Sequence, residues 1–417
     1  MYLLYEVFLY LVLILLLPWF LLTGVLRGKY LQNFPARMGI YRTRAAAHDL
    51  WIHAVSVGEA IAARPVIEEI LRRRPGTSIV LTTTTLTGQA QARRLYPNAT
   101  VTYFPFDFAF AVKRFLVHHN PRVFATMETE IWPNVTRLAH DRGMRLILAN
   151  GRISDRSFPK YRAFRMIVSR ILRKYDRILA REETDRTRFI AMGAPAEIVE
   201  TTGNVKFDYE PDDTPLEIAP RLESLIAHRK VLVLGSTFEG EDEALLPLVE
   251  PFIVENDAFV IIAPRKPERF ELVAGLLGTS ATRFLRRTQL EHTDAAAEIL
   301  LLDSFGELGK IYRYATAAFV GGSLVPHGGH NPIEPAAAGV PVCFGRSMSN
   351  FREISRAFLA ANAAEEVPSA AGVIAFATRM FEDEALQRAW GERAQQTVQQ
   401  NRGASSRTAS RLLELLA

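Results

Sequence analysis

A chain of 417 residues is too long for one ordinary domain and suits two domains of typical size. Its 48% hydrophobic and 23% charged residues exclude disorder over most of the length, and the single cysteine, Cys343, excludes an intrachain disulfide framework. The net charge of +5 favours an anionic partner, such as membrane headgroups or a phosphorylated substrate. The sequence has no zinc-ligand spacing and no RNP-type aromatic motif, which disfavours nucleic acid.

The N-terminal segment, residues 1–27, predicts a membrane anchor. It is apolar almost throughout, and Glu6 is its only charge before Arg27. A helix of this length can cross a hydrocarbon core of about 30 Å. Glu6 and the helix-bending Pro18 leave open a segment that lies in one leaflet. The basic residues that follow predict a cytoplasmic body, and they are Arg27, Lys29, Arg37, Arg42 and Arg44.

Beyond the anchor, short apolar runs alternate with amphipathic stretches, which is typical of parallel α/β domains. The first half predicts strands near Leu50–Val57, Ser78–Thr83, Val101–Phe104, Arg122–Met127, Arg145–Ala149 and Arg177–Ala180. The second half predicts strands near Lys230–Gly235, Ala258–Ala263, Ile299–Leu302, Ala317–Val320 and Pro341–Phe344. The tail, Asp383–Ala417, predicts one or two helices with a polar middle.

The proline-rich, acidic segment 207–220 predicts a linker between the two sets of strands. We therefore expect two Rossmann-like lobes, residues 28–206 and 221–417, with a cleft between them. The final helix is assigned to the second lobe, and the alternative is that it packs back on the first. Ligands of open α/β sheets bind beyond the carboxyl ends of the strands, so the loops after the strands are the candidate sites.

The loop after the first strand, HAVSVGEA, contains only Gly58 where a dinucleotide-binding fold requires G-x-G-x-x-G. Nicotinamide and flavin chemistry are therefore disfavoured. The loop places Glu59 at the start of a helix as a candidate general base, with Ser56 and Gly58 as substrate contacts. A helix N-terminus lowers a carboxyl pKa, so a base requires burial to raise it. The alternative is that Glu59 only complements the helix dipole.

Two further loops of the first half carry charge. In METEIWPN, Glu128 and Glu130 follow a strand and fall on one side if that strand persists. They predict acceptor or sugar-hydroxyl binding, and the alternative is a polar rim. In TGNVKFD, Lys206 lies just before the linker, where an ammonium can meet a phosphate or a sugar carboxylate. The alternative for Lys206 is a solvated side chain.

Two loops of the second half predict anion binding. The turn GSTFEGEDE, with Ser236 and Thr237, follows the first strand and can offer backbone N–H groups to an anion. The loop APRKPERF places Arg265 and Lys266 between two prolines at a strand end, which suits a phosphate or a carboxylate. Solvated charge is the alternative for these two cations.

The most specific segment is GGSLVPHGGHNPIEPAAAGVPV. A glycine-rich loop with Gly322, Ser323 and His330 leads to a helix that Asn331 is expected to cap. Backbone N–H groups there can hold a phosphate, and Glu334 can accept hydrogen bonds from ribose hydroxyls. The alternative is a plain capping box between Asn331 and Glu334, which leaves the glycines and histidines unexplained.

The metal prediction is negative. No Asp-x-Asp pair follows a strand, and the histidines show no paired zinc spacing on one helix. We assign no metal and no cofactor.

Seven features in this order resemble the Kdo transferase family of Gram-negative bacteria, where Kdo is 3-deoxy-D-manno-octulosonic acid. They are the N-terminal anchor, HAVSVGE, METEIWPN, GNVKFD, GSTFEGED with PRKPERF, and GGSLVPHGGHNPIEPAAAG. The resemblance implies a GT-B fold, an N-terminal acceptor lobe, a C-terminal donor lobe, CMP-Kdo as donor and a lipid A precursor as acceptor. The segment Arg346–Ser349 departs from the family pattern, which leaves its contacts open.

The resemblance also implies residue roles. Glu59 resembles the catalytic base, and Glu130 and Lys206 resemble residues near donor and acceptor. The nucleotide-binding set that it implies is Arg265, Ser323, Asn331 and Glu334. It further implies inversion without a metal, at the cytoplasmic face of the bacterial inner membrane. Two alternatives stay open, namely another GT-B enzyme that uses a UDP-sugar and a non-catalytic module that binds anionic lipid.

Overall fold

The structure, a computed structural model, describes residues 2–27, 33–41 and 46–417, with side chains from residues 2–16 in the first range. Lys29, Arg42 and Arg44, which the sequence assigned to the membrane-proximal basic group, lie outside the described residues. The chain divides into two compact units. Unit 1 comprises Met1–Asp208 and Arg402–Ala417, and unit 2 comprises Tyr209–Asn401.

Unit 1 contains a seven-stranded sheet in which every described pairing is parallel. The strand order is β3-β2-β1-β4-β5-β6-β7. The strands are β1 His48–His53, β2 Ile79–Thr83, β3 Thr100–Tyr103, β4 Pro121–Met127, β5 Arg145–Gly151, β6 Arg177–Ala180 and β7 Val199–Thr201. The order reverses between β1 and β4, which makes their carboxyl ends a topological switch point.

The helices of unit 1 cover both faces of this sheet. They are α1 Tyr2–Arg27, α2 Phe34–Arg37, α3 Val57–Arg73, α4 Leu86–Leu95, α5 Ala109–His119, α6 Pro133–Asp141, α7 Phe158–Ala163, α8 Arg165–Leu172 and α9 Glu183–Ala191. One apolar core packs α3 and the C-terminal helix on one face, and a second core packs α5, α6 and α8 on the other. Strands buried on both faces explain why their sequences are continuous apolar runs.

Unit 2 contains a second seven-stranded sheet, also with parallel described pairings, in the order β10-β11-β9-β8-β12-β13-β14. Its strands are β8 Val231–Thr237, β9 Phe259–Pro264, β10 Phe284–Arg286, β11 Ile299–Leu301, β12 Ala317–Val320, β13 Val342–Phe344 and β14 Ala364–Glu366. Its helices are α10 Ala219–Ile226, α11 Glu241–Asn256, α12 Phe270–Leu277, α13 Leu308–Ile311, α14 Ile333–Ala337, α15 Arg352–Ala360, α16 Ala370–Glu382 and α17 Glu384–Gln400. The order reverses between β8 and β12.

The last helix, α18 Ala404–Leu416, belongs to unit 1 rather than to unit 2. The Asp208 carboxylate accepts hydrogen bonds from the backbone N–H groups of Gly403 and Ser405, which caps α18. The helix packs against α3, where the Arg73 guanidinium donates to the Ser410 hydroxyl at 2.7 Å. The predicted second lobe therefore ends before this helix.

The predicted strands are all present, and three short strands were missed. These are β7, β10 and β14, whose three-residue sequences VET, FLR and AEE lack the continuous apolar run by which the equally short β11 and β13 were predicted. The predicted linker, 207–220, is partly folded. Leu216 and Ile218 lie in the core of unit 2, and α10 begins at Ala219. The apolar residues Leu216 and Ile218 therefore belong to the second unit, although the segment around them is acidic and rich in proline.

Helix α1 contacts the body of unit 1 through polar side chains. The Tyr5 hydroxyl donates to the Asp107 carboxylate at 2.9 Å, and the Glu6 carboxylate accepts from the Ala109 N–H at the start of α5 at 2.7 Å. The apolar side chains of Leu3, Leu4 and others of this helix are exposed. Within the described residues, no helix has the combined length and apolar character that crossing a bilayer requires.

Arg37, one of the basic residues predicted to follow an anchor, packs within unit 1. Its guanidinium lies over the Tyr103 ring, 4.8 Å from the centroid, and donates to the Thr84 carbonyl. Burial lowers the pKa of this guanidinium. Its charge therefore interacts with the Tyr103 ring and the Thr84 carbonyl of unit 1.

Candidate active site

The carboxyl ends of β1 and β4 are adjacent, because His53 pairs with Thr126 in the parallel register. The loop after β1 carries Glu59, and the loop after β4 carries Glu128 and Glu130. Strand order therefore brings together two loops that are about seventy residues apart in the chain. This is the switch point at which α/β sheets bind ligands.

Glu59 lies in the first turn of α3 and is partly buried. One carboxylate oxygen accepts from the Val55 N–H at 2.7 Å, and the other lies 3.5 Å from the Ser56 hydroxyl. Ser56 is the N-terminal cap residue and has an extended backbone. The helix-complementing role, left open by the sequence, is therefore present in the structure. Gly58 is exposed, and a Cβ at this position would lie 4.0 Å from the Ser56 hydroxyl, in ordinary contact.

The pKa of Glu59 is raised to about 7 despite the Val55 hydrogen bond. Burial is the largest cause, and the negative charge of Glu128 is the second. The Val55 N–H lowers the pKa by a smaller amount, and the charge of Glu130 raises it. A pKa near neutrality is the property that a general base needs at physiological pH. The helix N-terminus favours the ionised form of Glu59, but burial raises the pKa into the range of a general base.

Glu128 does not continue β4. The strand ends at Met127, and Glu128 has a left-handed backbone with φ of 57°. The sequence predicted that Glu128 and Glu130 fall on one side if the strand persists. Because the strand ends at Met127, strand alternation does not apply to them. The Glu128 carboxylate forms an ion pair with Arg181 and lies 3.9 Å from the Lys206 ammonium. The Arg181 and Lys206 charges lower the pKa of Glu128, although its burial opposes them.

Lys206 belongs to a short 3₁₀ helix, Val205–Asp208, at the same edge of the sheet. Its ammonium is committed in part to Glu128, so the fully solvated alternative is excluded. Burial raises the pKa of Glu130. The sequence missed Arg181, which directly follows the predicted strand Arg177–Ala180. The strand-end criterion that found the glutamates would also have found this arginine.

In unit 2, a buried carboxylate occupies the glycine-rich loop. Glu241, the first residue of α11, accepts hydrogen bonds from four backbone N–H groups, those of Phe238, Gly322, Ser323 and Leu324. The distances are 3.0, 2.6, 2.9 and 2.8 Å. Only the Phe238 amide belongs to a turn that the sequence predicted to receive an anion, and the amides predicted for a phosphate at the start of α14 are not among these four donors.

Ser323 is part of the loop framework. It is 1% exposed, and its hydroxyl donates to the Val320 carbonyl at 2.5 Å and accepts from the Gly345 N–H at 2.8 Å. These bonds join the ends of β12 and β13. The side chain is therefore turned inward, and its contact with a nucleotide stays a prediction. Because the loop is closely packed, the Ser323 hydroxyl forms its hydrogen bonds with backbone groups of the protein.

Gly322 and His330 are in contact. Gly322 has a φ of 66°, and a Cβ at this position would lie 2.9 Å from the His330 ring. Only glycine fits both the backbone conformation and this space. Burial lowers the pKa of His330 to about 4, and the charge of Arg265 contributes. The imidazole is therefore neutral at physiological pH.

The turn Ser236–Thr237 is also engaged internally. Ser236 has a left-handed backbone with φ of 56°, and the buried Thr237 accepts a hydrogen bond from the Arg265 N–H at its carbonyl. The next amide, that of Phe238, donates to Glu241. The expected anion site on this turn is accordingly occupied by the protein's own carboxylate. The turn positions the backbone of Arg265.

Arg265 and Lys266 follow β9 and are exposed. The Lys266 ammonium lies 4.3 Å from the centroid of the Phe238 ring, whose other neighbour is the His327 ring, stacked at 3.9 Å. The sequence did not identify this stack, although Phe238 and His327 both lie in the selected motifs. The stack orients Lys266. The charge of Arg265 contributes to the lowered pKa of His330 and opposes the rise in the pKa of Glu334.

The expected cap at Asn331 is wrong by one residue, because α14 begins at Ile333 and its N-terminal cap residue is Pro332. The Asn331 side-chain oxygen accepts from the Ile333 N–H at 3.2 Å, and its amide donates to the Glu334 carboxylate at 3.1 Å. Burial raises the pKa of Glu334. Glu334 thus accepts from the Asn331 side-chain amide, and Pro332 at the cap has no N–H that a standard capping box would require. In the described part of the chain, no group of histidine, cysteine and acidic side chains is suited to a metal ion.

The family model for 3-deoxy-D-manno-octulosonic-acid transferase (kdotransferase) matches residues 32–209. The chain is 33% identical to the 3-deoxy-D-manno-octulosonic acid transferase of Haemophilus influenzae over 401 residues, which cover 95% of this chain and 93% of that protein. It is also 33% identical to the enzyme of the same name from Bordetella pertussis over 403 residues, which cover 93% of each protein.

Solved structures with low sequence identity share the fold. A UDP-GlcNAc 2-epimerase from Neisseria meningitidis matches with a TM-score of 0.58 and 14% identity, over 88% of this chain and all of that one (100%). A glycosyltransferase from Rickettsia africae matches with a TM-score of 0.57 and 12% identity, over 90% of this chain and 99% of that one. Two parallel-sheet lobes of the GT-B kind are therefore shown. Because named relatives match nearly the whole chain at 33% identity, the chain belongs to the 3-deoxy-D-manno-octulosonic acid transferase family and is a glycosyltransferase.

Proposed function

We propose that the protein transfers Kdo from CMP-Kdo to a lipid A precursor in lipopolysaccharide core biosynthesis. Membership of the Kdo transferase family supports the donor and the sugar. The observation that carries the mechanism is Glu59, a carboxyl group with a pKa of about 7 at the switch point of unit 1. A base of this strength can accept the proton of an acceptor hydroxyl near neutral pH.

The proposed reaction is one displacement with inversion and without a resident metal. Glu59 takes the proton of the acceptor hydroxyl while its oxygen forms a bond to the anomeric carbon of Kdo. The bond from that carbon to the phosphate oxygen breaks, and CMP leaves with the electron pair. The charge that develops on the phosphate is stabilised by cations and N–H donors, which lowers the barrier.

The donor is proposed to bind unit 2. Arg265 and Lys266 supply positive charge for the phosphate or for the Kdo carboxylate. Neutral His330, beside Arg265, can donate one hydrogen bond, since its Nε2 has no partner within the described residues. Asn331 and Glu334 form a polar pair that can bind ribose hydroxyls. Gly322 supplies close access, while Ser323, Ser236 and Thr237 shape the surrounding backbone.

The acceptor is proposed to bind unit 1. Ser56 and Gly58 border Glu59 at the start of α3, and Gly58 leaves space for a large substrate. Glu130 can accept a sugar hydroxyl. Lys206 can meet a phosphate or carboxylate of donor or acceptor, because its ammonium lies beside Glu128 at the loop that follows β4.

We further propose that the protein is held at the cytoplasmic face of a Gram-negative inner membrane. On α1, exposed apolar side chains support membrane contact, and they are Leu3, Leu4, Phe8, Leu11 and Leu15. Around α7 and α8, Phe164 and Met166 are 64% and 79% exposed. Basic side chains flank them and suit anionic lipid, namely Arg156, Lys160, Arg162, Arg165, Arg170 and Arg173.

The decisive experiment incubates the full-length protein with CMP-Kdo and lipid A precursor and measures CMP release and product mass. We expect stoichiometric CMP and a mass gain of one or more Kdo residues, unchanged by EDTA. A folded sample without turnover contradicts the proposal. Thermal stabilisation by CMP, compared with UDP, tests the alternative of a UDP-sugar enzyme, because stabilisation follows ligand affinity.

Membrane association has its own test. Co-sedimentation with anionic phosphatidylglycerol vesicles is compared with neutral phosphatidylcholine vesicles for the wild type and for Phe164→Asp with Met166→Asp. We expect the double variant to bind anionic vesicles more weakly, because charge replaces exposed apolar surface. Equal binding by wild type and variant would remove α8 from the proposed membrane surface.

A further inference from the structure

Arg181 is a buried cation at the proposed catalytic edge. It follows β6, and its side chain is 3% exposed. Its Nε donates to the Asn150 carbonyl at 3.1 Å, and its Nη2 forms the ion pair with Glu128. The guanidinium therefore bridges the loop that follows β4 and the last residues of β5. A buried charge persists only when it is paired, so this geometry requires both partners.

Glu128 is held in an unfavourable backbone conformation. A left-handed φ of 57° is rare for a residue with a side chain. The Glu128 N–H donates to the Ala149 carbonyl at 2.9 Å, so the backbone is fixed from β5 as well. The charged groups that lower the pKa of its carboxyl group are Arg181 first, then Lys206 and Arg152. Of the three cations, Arg181 lowers the pKa of Glu128 the most, and it is also the most buried.

Glu59 has negative neighbours at the same edge. The charged groups that set its pKa are Glu128 and Glu130, both from the loop after β4, and both repel its ionised form. Its hydrogen-bond partners are the Val55 N–H and the Ser56 hydroxyl. Glu59 and Glu128 therefore belong to one electrostatic unit, and Arg181 is its buried counter-charge.

We propose that Arg181 is a positioning residue for the base, because its guanidinium fixes the Glu128 carboxylate and balances its charge so that Glu59 and Glu128 can be ionised together. Arg181 acts through Glu128 and needs no contact with substrate. The inference rests on the proposed function of Glu59 as the base. It gives Glu128 an electrostatic role in addition to any contact with acceptor or sugar.

The test is the pH dependence of kcat in Arg181→Gln. Without the guanidinium, Glu59 and Glu128 titrate as a coupled pair that binds its first proton more tightly. We expect the acid limb of the kcat profile to move to higher pH by about one unit or more. Turnover near neutrality then falls about tenfold and recovers at alkaline pH. A limb at the wild-type position, with turnover lowered equally at every pH, overturns the proposal.

Two variants separate charge from packing. Arg181→Gln combined with Glu128→Gln removes both members of the ion pair, and we expect its acid limb to return to the wild-type position or below it. Arg181→Lys keeps the charge, so its limb is expected to stay near the wild-type position. If Glu128→Gln does not reverse the shift, the coupling through Glu128 is wrong. Arg177→Gln, at the opposite end of β6, is the matched control and is expected to leave the limb in place.

A readout without turnover distinguishes this proposal from the proposed function. Isotope-labelled glutamate carboxyl carbons are titrated by NMR, and the Glu59 signal is identified by its loss in Glu59→Gln. We expect its titration midpoint to rise in Arg181→Gln and to fall again in the double variant. If the wild type transfers no Kdo but these midpoints shift as expected, only the proposed function fails. Unchanged midpoints in an active enzyme refute the role of Arg181 alone.

Discussion

The Glu59 carboxylate accepts a 2.7 Å hydrogen bond from the Val55 N–H and still has a pKa of about 7. This hydrogen bond and the weaker one from Ser56 stabilise the ionised form, while burial and the charge of Glu128 oppose it more strongly. The hydrogen bond orients the carboxylate, and the surroundings set its proton affinity. A residue that complements a helix N-terminus can therefore also act as a base.

Replacement of Glu59 by glutamine should remove transfer and preserve donor binding. Glu59→Gln keeps the size of the side chain but cannot accept a proton, so kcat is expected to fall by about 10²–10⁴-fold. CMP affinity, measured by calorimetry, is expected to stay unchanged because the proposed donor residues lie in unit 2. The matched control is Glu68→Gln, on the exposed side of the same helix. Near-normal turnover of Glu59→Gln would require a different base.

The same substitution should affect stability with a defined sign. The folded-state pKa of Glu59 is raised from its ordinary value of 4.5 to about 7, so the folded protein binds this proton more tightly than the unfolded chain. The stabilisation is complete below the unfolded pKa and is lost as the pH rises through the folded one. Above about pH 8, Glu59→Gln is expected to unfold with a higher free energy than the wild type, by at most about 3 kcal/mol.

The measurement is urea unfolding of both proteins across this pH range. The difference between them should shrink toward acidic pH, where the wild-type carboxyl group is protonated. A difference that does not change with pH would show that packing, rather than ionisation, separates the two proteins.

Removal of the Glu241 carboxylate should disorganise the glycine-rich loop. Glu241→Ala leaves four backbone N–H groups without their acceptor, and we expect a loss of about 2–4 kcal/mol in stability. CMP affinity should fall as well, since Gly322 and His330 lie on this loop. Thermal unfolding and calorimetry measure the two effects. Glu239→Ala, exposed in the preceding turn, is the control and should change neither.

The contact between α1 and unit 1 should contribute measurably to stability. Tyr5→Phe removes the hydroxyl that donates to Asp107, and we expect a loss of about 1 kcal/mol, as for one hydrogen bond. Asp107→Ala should cost more, because this carboxylate also accepts the Asn134 and Val135 N–H groups at the start of α6. Thermal unfolding in detergent compares the two variants. Equal losses would mean that the Tyr5 bond carries the whole contribution of Asp107.

Much of the candidate site was predictable because it follows from local rules. Apolar runs predicted the longer strands, and strand ends predicted the loops of Glu59, Glu128, Arg265 and Gly322. Parallel strands that are buried on both faces give this signal without any knowledge of their neighbours. The same rule, applied to Arg181, would have extended the site. The short strands β7, β10 and β14 gave no comparable signal.

The interactions of these residues depended on strand order and packing. β1 and β4 are neighbours although β2 and β3 lie between them in the chain, and that adjacency gives Glu59 its negative neighbour. The turn after β8 was predicted to receive an anion, and the Glu241 carboxylate accepts from the Phe238 amide of that turn.

The sequence by itself determined the family, the two α/β lobes and the loops that carry charge, because each is written in contiguous residues. The tertiary structure decided which charges are paired, which amides are free and how strong a base Glu59 is. Those properties depend on burial and on distances between atoms from separate parts of the chain, since electrostatic energy is set by position in space and by the exclusion of water.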